Sequence, residues 1–454
     1  MNLSFKSIQS KIKDPNFLSL AGNAAMSLLG FATMATIYRA LSVTDVGIWL
    51  FFQSSLVFVD TFRTGFLVTA FVKFYSGSTE NRKEEVIGST WYVASLITGL
   101  FVLLNIPALL ALHFVSNPGF LFFMKWFAIN LVFTLPSLVA MCIAQGEMRF
   151  DRLLYLRVAG NGLFFVLLLI LIYCDKATLD NVIYANLLSS LTTSLISIFA
   201  GWSKLSMFSK KTSDCSKELY HFGKYTVGTS ISASLFKTSD TLIIYYFLPN
   251  ALAIYNLGNR LMEIVEIPLR SFAATALPKL SSAYNQNNKG EVITIMKGYV
   301  GMLTILLIPV FIITFIFASF IVGIIGGNQY INTEAGAQAA NVLRLFMGFA
   351  LIYPADRFFA ITLDAIHKPR INFVKVLIML AINIIADLIG VLVFKNVYGI
   401  TVAAVFPILT GAIIGYWAIQ KYESFVLIEM YRSGFSNLKT LYQKSVPKKT
   451  KSVV

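Results

Sequence analysis

Twelve apolar runs, each long enough to cross a bilayer, restrict this chain to a membrane-embedded helical fold. They fall near residues 16–40, 46–72, 87–112, 119–144, 153–174 and 181–201, then near 221–247, 251–278, 299–325, 338–363, 373–394 and 399–419. A helix needs about 20 apolar residues to span the hydrocarbon, and each run supplies them. Because lipid offers no hydrogen bonds, a spanning segment must satisfy its own backbone, which a helix does. Composition agrees: 57% of the residues are hydrophobic and 13% charged, with a mean hydropathy of +0.72, against about 25% charged in soluble domains. The expected fold is an all-α integral membrane protein of about twelve transmembrane helices.

Several chemistries have little to stand on. Cys142, Cys174 and Cys215 form no close-spaced metal or redox pair, and His113, His221 and His367 are scattered. No metal site, disulfide framework or Ser-His-Asp arrangement is therefore expected. The first apolar run is of full spanning length and lacks a small-residue cleavage site, so it reads as a helix rather than a cleaved signal. Before it, Phe5, Ile8 and Ile12 stand at helical spacing beside Lys6, Lys11 and Lys13, as in a short interfacial helix.

Lysine and arginine set the orientation. The intervals on one side of the spans, with both chain ends, hold 27 basic residues, among them Lys375 beside Lys368 and Arg370. The opposite intervals hold only Lys176 and Lys395. By the positive-inside rule the basic side is cytoplasmic. The net charge of +15 thus reflects topology and contact with anionic lipid, and no nucleic-acid partner is expected.

The Ser- and Lys-rich interval 202–220 divides the chain into a six-helix lobe at 1–201 and a second at 221–419, with a basic amphipathic cytoplasmic tail at 420–454. An even number of spans leaves both lobes in one orientation, related by a pseudo-two-fold axis along the membrane normal. Two echoes support an internal repeat. Leu41–Trp49 resembles Leu248–Tyr255, and Ala144, Arg149, Phe150 and Asp151 match Ala365, Arg370, Ile371 and Asn372 at a constant offset of 221.

Charges inside the spans carry the functional signal, because each costs about 2.5–3.5 kcal/mol near the bilayer centre and so seeks a partner or water. On the eighth span Asn256, Arg260, Glu263, Glu266 and Arg270 fall within an arc of about 120° extending roughly 20 Å. Asp60 and Arg63 are three residues apart and can pair, as can Lys237 and Asp240. Asp356 beside Arg357 is a further candidate pair, while Lys125 and Arg344 lie toward the external ends and snorkel. Asn383 and Asp387 read as an interhelical hydrogen-bonding pair. The polar stripe with Arg39 and Arg63 points to a hydrated cavity, and arginine suits planar or phosphate-like anions.

Four stretches carry a family resemblance: Tyr38-Arg39-Ala40-Leu41 through Asp45-Val46-Gly47; Ala144-Gln145-Gly146 with Arg149-Phe150-Asp151; Phe222-Gly223-Lys224-Tyr225, Asp240, Ala253-Ile254-Tyr255 and Arg260-Leu261; and Tyr398-Gly399-Ile400 before Ala403-Ala404. In this order the chain resembles the polysaccharide or O-antigen flippases (Wzx-like), in the superfamily that holds the MATE exporters and the lipid II flippase. Lys224 and Val402 depart from the family pattern, and twelve spans leave out the two extra helices of the lipid II flippase.

The resemblance implies a MATE-like arrangement that moves a polyprenyl-diphosphate-linked oligosaccharide from the inner to the outer leaflet by alternating access. That would serve surface polysaccharide or O-antigen export across a bacterial inner membrane. Arg39, Arg63, Arg260, Arg270, Lys237 and Asn259 would line the substrate site, with Arg39, Arg63 and Arg260 on the diphosphate. Tyr38, Gln53 and Tyr353 would join Asn259 in meeting sugars. Asp60, Asp240, Glu263 and Glu266 are the candidates for H+ or Na+ coupling. No other cofactor is implied, and membrane lipids and a polysaccharide polymerase or another assembly-pathway protein are the expected partners. A MATE-like small-molecule antiporter is the alternative, opposed by the arginines. A membrane glycosyltransferase or polymerase is a further one, opposed by short external loops with scattered acids. The chain is therefore expected not to be an enzyme.

Overall fold

The computed structural model describes residues 15–75 and 78–445, and among them it holds fifteen α-helices and no strand. The expected interfacial helix around Phe5–Ile12 lies outside the described residues. The chain divides into two compact units, Met1–Leu242 and Ile243–Val454.

The first unit contains α1 (Pro15–Ala40), α2 (Val43–Tyr75), α3 (Glu80–Leu110), α4 (Pro118–Gly146), α5 (Phe150–Tyr173), α6 (Leu179–Phe199) and most of α7 (Ser213–Phe247). The second contains α8 (Ala251–Asn285), α9 (Lys289–Gly326), α10 (Glu334–Ala350), α11 (Tyr353–Ala365), α12 (Pro369–Phe394), α13 (Val397–Ala403), α14 (Val405–Gln420) and α15 (Leu427–Ser445). Local chemistry marks the boundaries. Asn117 accepts from the N–H groups of Gly119 and Phe120 ahead of Pro118, while Thr178, Thr333 and Asn396 cap α6, α10 and α13 in the same way. The Ser42 hydroxyl accepts from the Asp45 N–H at 3.1 Å and closes the tight break between α1 and α2.

Among the described residues, eight helices are long and apolar enough to cross a membrane: α2 to α6, α9, α12, and α13 with α14 taken together. The pair α10 and α11, bent by 42° at its break, brings the number to nine when it is counted as one span. The remaining expected runs fall on α1, α7 and α8, helices of 26, 35 and 35 residues. The interruptions in α7 and α8 are polar, from Asp240 in one and Arg260, Glu263 and Glu266 in the other.

Each unit pairs its helices in a common order. In the first, α2 packs on α3 and α4, α4 on α3, α5 and α6, and α5 on α6. In the second, α8 packs on α9 and on the bent α10–α11 span. That span meets α9, α12 and α13–α14, and α12 packs on α13 and α14. With the bent span in the place of α4, the second unit repeats these six pairings; the first unit also packs α1 on α5.

Phe71, Val86, Trp91, Val139, Cys142 and Cys215 belong to the buried core of the first unit. The interval 202–220, read from sequence as a linker, is built into that unit. A 3-10 helix at Leu205–Lys210 packs on α3, and the Trp91 indole N–H donates to the Ser203 carbonyl at 2.8 Å. A Cβ on Gly88 would overlap the Met207 carbonyl, so this seat requires glycine.

Candidate functional site

Arg63 stands at the centre of the first unit's polar interior. Its side chain is 2% exposed although it carries a full charge. Nε and Nη2 donate to Asp60 Oδ1 at 2.7 and 2.5 Å, the geometry that the three-residue spacing on α2 allows. Nη1 donates to the Leu131 carbonyl at 2.6 Å and reaches Thr98 Oγ1 at 3.4 Å, and Nη2 also donates to Thr134 Oγ1 at 2.8 Å. One guanidinium therefore ties α2 to α3 and α4. Pro136, which has no N–H to donate, interrupts the α4 ladder close to the same turn. Asp60 is the open side of the pair, with its side chain 35% exposed. The pair presents a carboxylate outward, and Arg63 serves as a strut rather than as an open phosphate ligand.

The other sequence-selected residues sort by exposure. Arg39, at the end of α1, and Arg260, on α8, are exposed, while Asn259, Glu266 and Asp240 are half-buried. Asn256 is buried and donates to the Leu252 carbonyl of its own helix at 3.2 Å. Tyr38, expected to meet sugars, is instead fully buried, whereas Gln53 and Tyr353 are half-buried. The side chains of Lys237, Glu263 and Arg270 lie outside the described residues. Lys125 is exposed, with its Nζ 4.9 Å from the centre of the Trp126 ring, and Arg344 is half-buried and donates to Asn341 Oδ1 at 2.6 Å.

A second buried cation escaped sequence reading. Lys375, counted there with the cytoplasmic basic residues, lies inside α12 with a side chain 2% exposed, and its Nζ donates to Asp356 Oδ1 at 2.6 Å. Asp356 sits in the first turn of α11, just past the bend from α10. It thus bonds across to another helix rather than relying on its neighbour Arg357, which is exposed. Gly411 on α14 leaves the space, since a Cβ there would overlap Asp356 Oδ1 and stand 2.7 Å from Met379 Sδ. The available signal was an acid and a base within spanning length, but no helical spacing joins residues nineteen apart. Asn383 and Asp387, both buried, bond each other within α12 at 3.2 Å.

Beyond the C-terminal end of α4, Glu147 gathers a polar cluster. It accepts from Lys204 Nζ at 2.7 Å, Tyr75 Oη at 3.1 Å and Arg152 Nη1 at 3.1 Å. Burial pushes its carboxyl up, but the Lys204 ammonium, the Tyr75 hydroxyl and Arg152 together hold it below the usual carboxylate range.

Comparison with known proteins gives a consistent pattern. The family model described as polysaccharide biosynthesis protein matches residues 37–335. The probable low-salt glycan biosynthesis flippase Agl15 of Haloferax volcanii is 23% identical over 437 residues, covering 94% of this chain and 84% of its own. Among solved structures, the lipid II flippase MurJ in an inward closed conformation superposes with a TM-score of 0.74 at 14% identity, over 94% of this chain and 93% of that one. An inward-facing MATE multidrug transporter gives 0.71 at 16% identity, over 93% and 96%.

Proposed function

We propose that this chain, which belongs to the polysaccharide biosynthesis protein family, is a flippase that carries a polyprenyl-diphosphate-linked oligosaccharide from the inner to the outer leaflet. The observation that carries this reading is the family match over residues 37–335, which spans helices bearing the exposed Arg39 and Arg260. The name of the Haloferax volcanii relative supports it. A charge held at membrane depth is costly and marks a functional position more often than a neutral residue does.

Arginine's planar fork matches two oxygens of a phosphate at once. Arg39 in the first unit and Arg260 in the second are therefore each proposed as a phosphate ligand as the headgroup passes, with Asn259 among the sugar-facing groups. The prenyl chain stays in hydrocarbon throughout. Arg63 is engaged by Asp60, Leu131 and Thr134, so its proposed contribution is to hold the shape of the first unit. The reading needs no bond made or broken and no cofactor. Asp60, Asp240, Glu263 and Glu266 stay the proposed H+ or Na+ sites, and Asp60 is the half-exposed partner of a buried arginine. The proposed location is the bacterial cytoplasmic membrane, with both termini in the cytoplasm, beside a polymerase or other proteins of glycan assembly. A small-molecule antiporter shares the fold, but exposed cations suit an anionic cargo better than a cationic drug.

Deleting the gene and following the lipid-linked oligosaccharide tests this. The proposal expects the intermediate to accumulate on the cytoplasmic leaflet while surface glycan falls, with both restored by the wild-type chain. Undiminished surface glycan in the deletion strain would contradict it.

A further inference from the structure

The helix α15 lies beyond the last span and is held to α9 by backbone contact. A Cβ on Gly301 would overlap the Met430 carbonyl oxygen, and one on Gly434 would overlap the Gly301 carbonyl carbon, so the two helices cross with almost no side chain between them. Lys297 Nζ donates to Glu429 Oε2 at 2.8 Å beside the crossing, and Met430 is buried there. The link from α14 is fixed too: Gln420 Nε2 donates to the Phe425 carbonyl, and the Phe425 ring packs on Phe359 and Tyr416. This is a docked element and not a loose tail.

Among the described residues its other face is uncovered. At about 100° per residue, Leu427, Ile428, Tyr431, Phe435 and Leu438 share an arc of about 100° adjoining the docked face. Ile428, Tyr431 and Phe435 are 62%, 51% and 67% exposed. Arg432 and Lys439 stand at the edge of that arc, and the polar Ser433 and Ser436 lie beyond them. Water would meet a continuous apolar surface here, which an independent soluble surface rarely shows.

We propose that this face of α15 is seated at the boundary of headgroup and acyl chains in the cytoplasmic leaflet, and that its occupant is anionic phospholipid. An apolar arc bordered by lysine and arginine is the pattern of a helix lying in the membrane interface. The charge complementarity is specific to that leaflet, whose anionic lipid attracts basic residues, and Lys444, Lys448, Lys449 and Lys451 continue the basic series. The helix is bound to α9 at Gly301 and to α14 through Phe425, so its position on the leaflet is passed directly to the second unit. This inference rests on the cytoplasmic assignment of the C-terminus but not on the identity of the transported glycan.

Site-directed spin labelling of the full-length chain in nanodiscs tests it. The exposed Cys174 is replaced by serine, leaving the buried Cys142 and Cys215, and single labels are placed with Phe435→Cys or Ser436→Cys. In discs containing phosphatidylglycerol, the label at 435 should collide preferentially with oxygen and that at 436 with a water-soluble nickel chelate. In phosphatidylcholine discs the oxygen preference at 435 should weaken. Arg432→Gln should cut the anionic-lipid preference by about fivefold, the partition factor of one basic residue at such a surface. Equal nickel access at both positions would place the helix in water and overturn the proposal. Shielding of 435 from both agents would assign the face to a protein partner or a second copy, and an effect indifferent to phosphatidylglycerol would remove the anionic lipid. None of these readouts depends on flipping, so failure here is separate from failure of the transport reading.

Discussion

The first unit buries a cation on Asp60 and the second buries one on Asp356, but the two pairs are assembled differently. Asp60 and Arg63 are neighbours on one helix, and the guanidinium reaches onward to the Leu131 carbonyl and Thr134 of α4 and to Thr98 of α3. Asp356 and Lys375 come from different helices and meet where α14 has no side chain, at Gly411. Arginine's fork serves several acceptors at once and can join three helices, whereas lysine is a point charge that answers one carboxylate. In both pairs the base is sealed at 2% exposure while the acid keeps 35% or 24%. Arg39 and Arg260 are a different class: they are exposed, whereas Arg63 and Lys375 are sealed.

Removing Arg63 breaks this contrast most severely. Arg63→Ala strips the half-buried Asp60 carboxylate, the Leu131 carbonyl and Thr134 of their donor at once, and losing one partner of a buried pair costs about 3–5 kcal/mol. A large fall in the thermal unfolding midpoint in detergent is expected, and near wild-type stability would show that Arg63 is no strut. Lys375→Met should cost less, about 1–3 kcal/mol, because it removes one hydrogen bond to Asp356 where Arg63→Ala removes bonds to Asp60, Leu131 and Thr134 together. An equal loss in the two variants would erase the distinction between fork and point charge. Arg39→Ala and Arg260→Ala should change stability by no more than about 0.5 kcal/mol while cutting surface glycan severely. Wild-type export by both would remove the ligand role from the exposed class.

The smallest expected effect is at Glu147. Its carboxyl is held down in the folded chain, so its stabilising contribution is present above the unfolded value, about 4.3, and is lost as pH falls through the lower folded value. Stability should therefore decline on acidification below about pH 5, and Glu147→Gln should flatten that slope.

Much of this was legible along the chain. Long apolar runs specify helices because lipid leaves the backbone no other satisfied form, and the i,i+3 spacing specifies the Asp60–Arg63 pair. The burial of Arg63 was not legible, because it depends on where α4 places the Leu131 carbonyl. Asp356–Lys375 was hidden for a similar reason. The contact is made between helices, and the residue that permits it, Gly411, signals only by lacking a side chain. The docking of α15 rests on Gly301 and Gly434, 133 residues apart, which no local periodicity connects. Sequence separates spans from loops well, but it does not say which buried charge is already occupied.

Flipping by the purified chain tests the central claim most directly. Proteoliposomes carrying a fluorescent polyprenyl-diphosphate oligosaccharide would be challenged with a membrane-impermeant quencher or glycosidase. The account predicts that lipid in the inner leaflet becomes accessible in vesicles containing the protein, and that Arg260→Ala slows this by about tenfold or more, the equivalent of one lost charge-assisted contact of about 1.4 kcal/mol. Accessibility no greater than in protein-free vesicles, with a folded and correctly inserted chain, would contradict it.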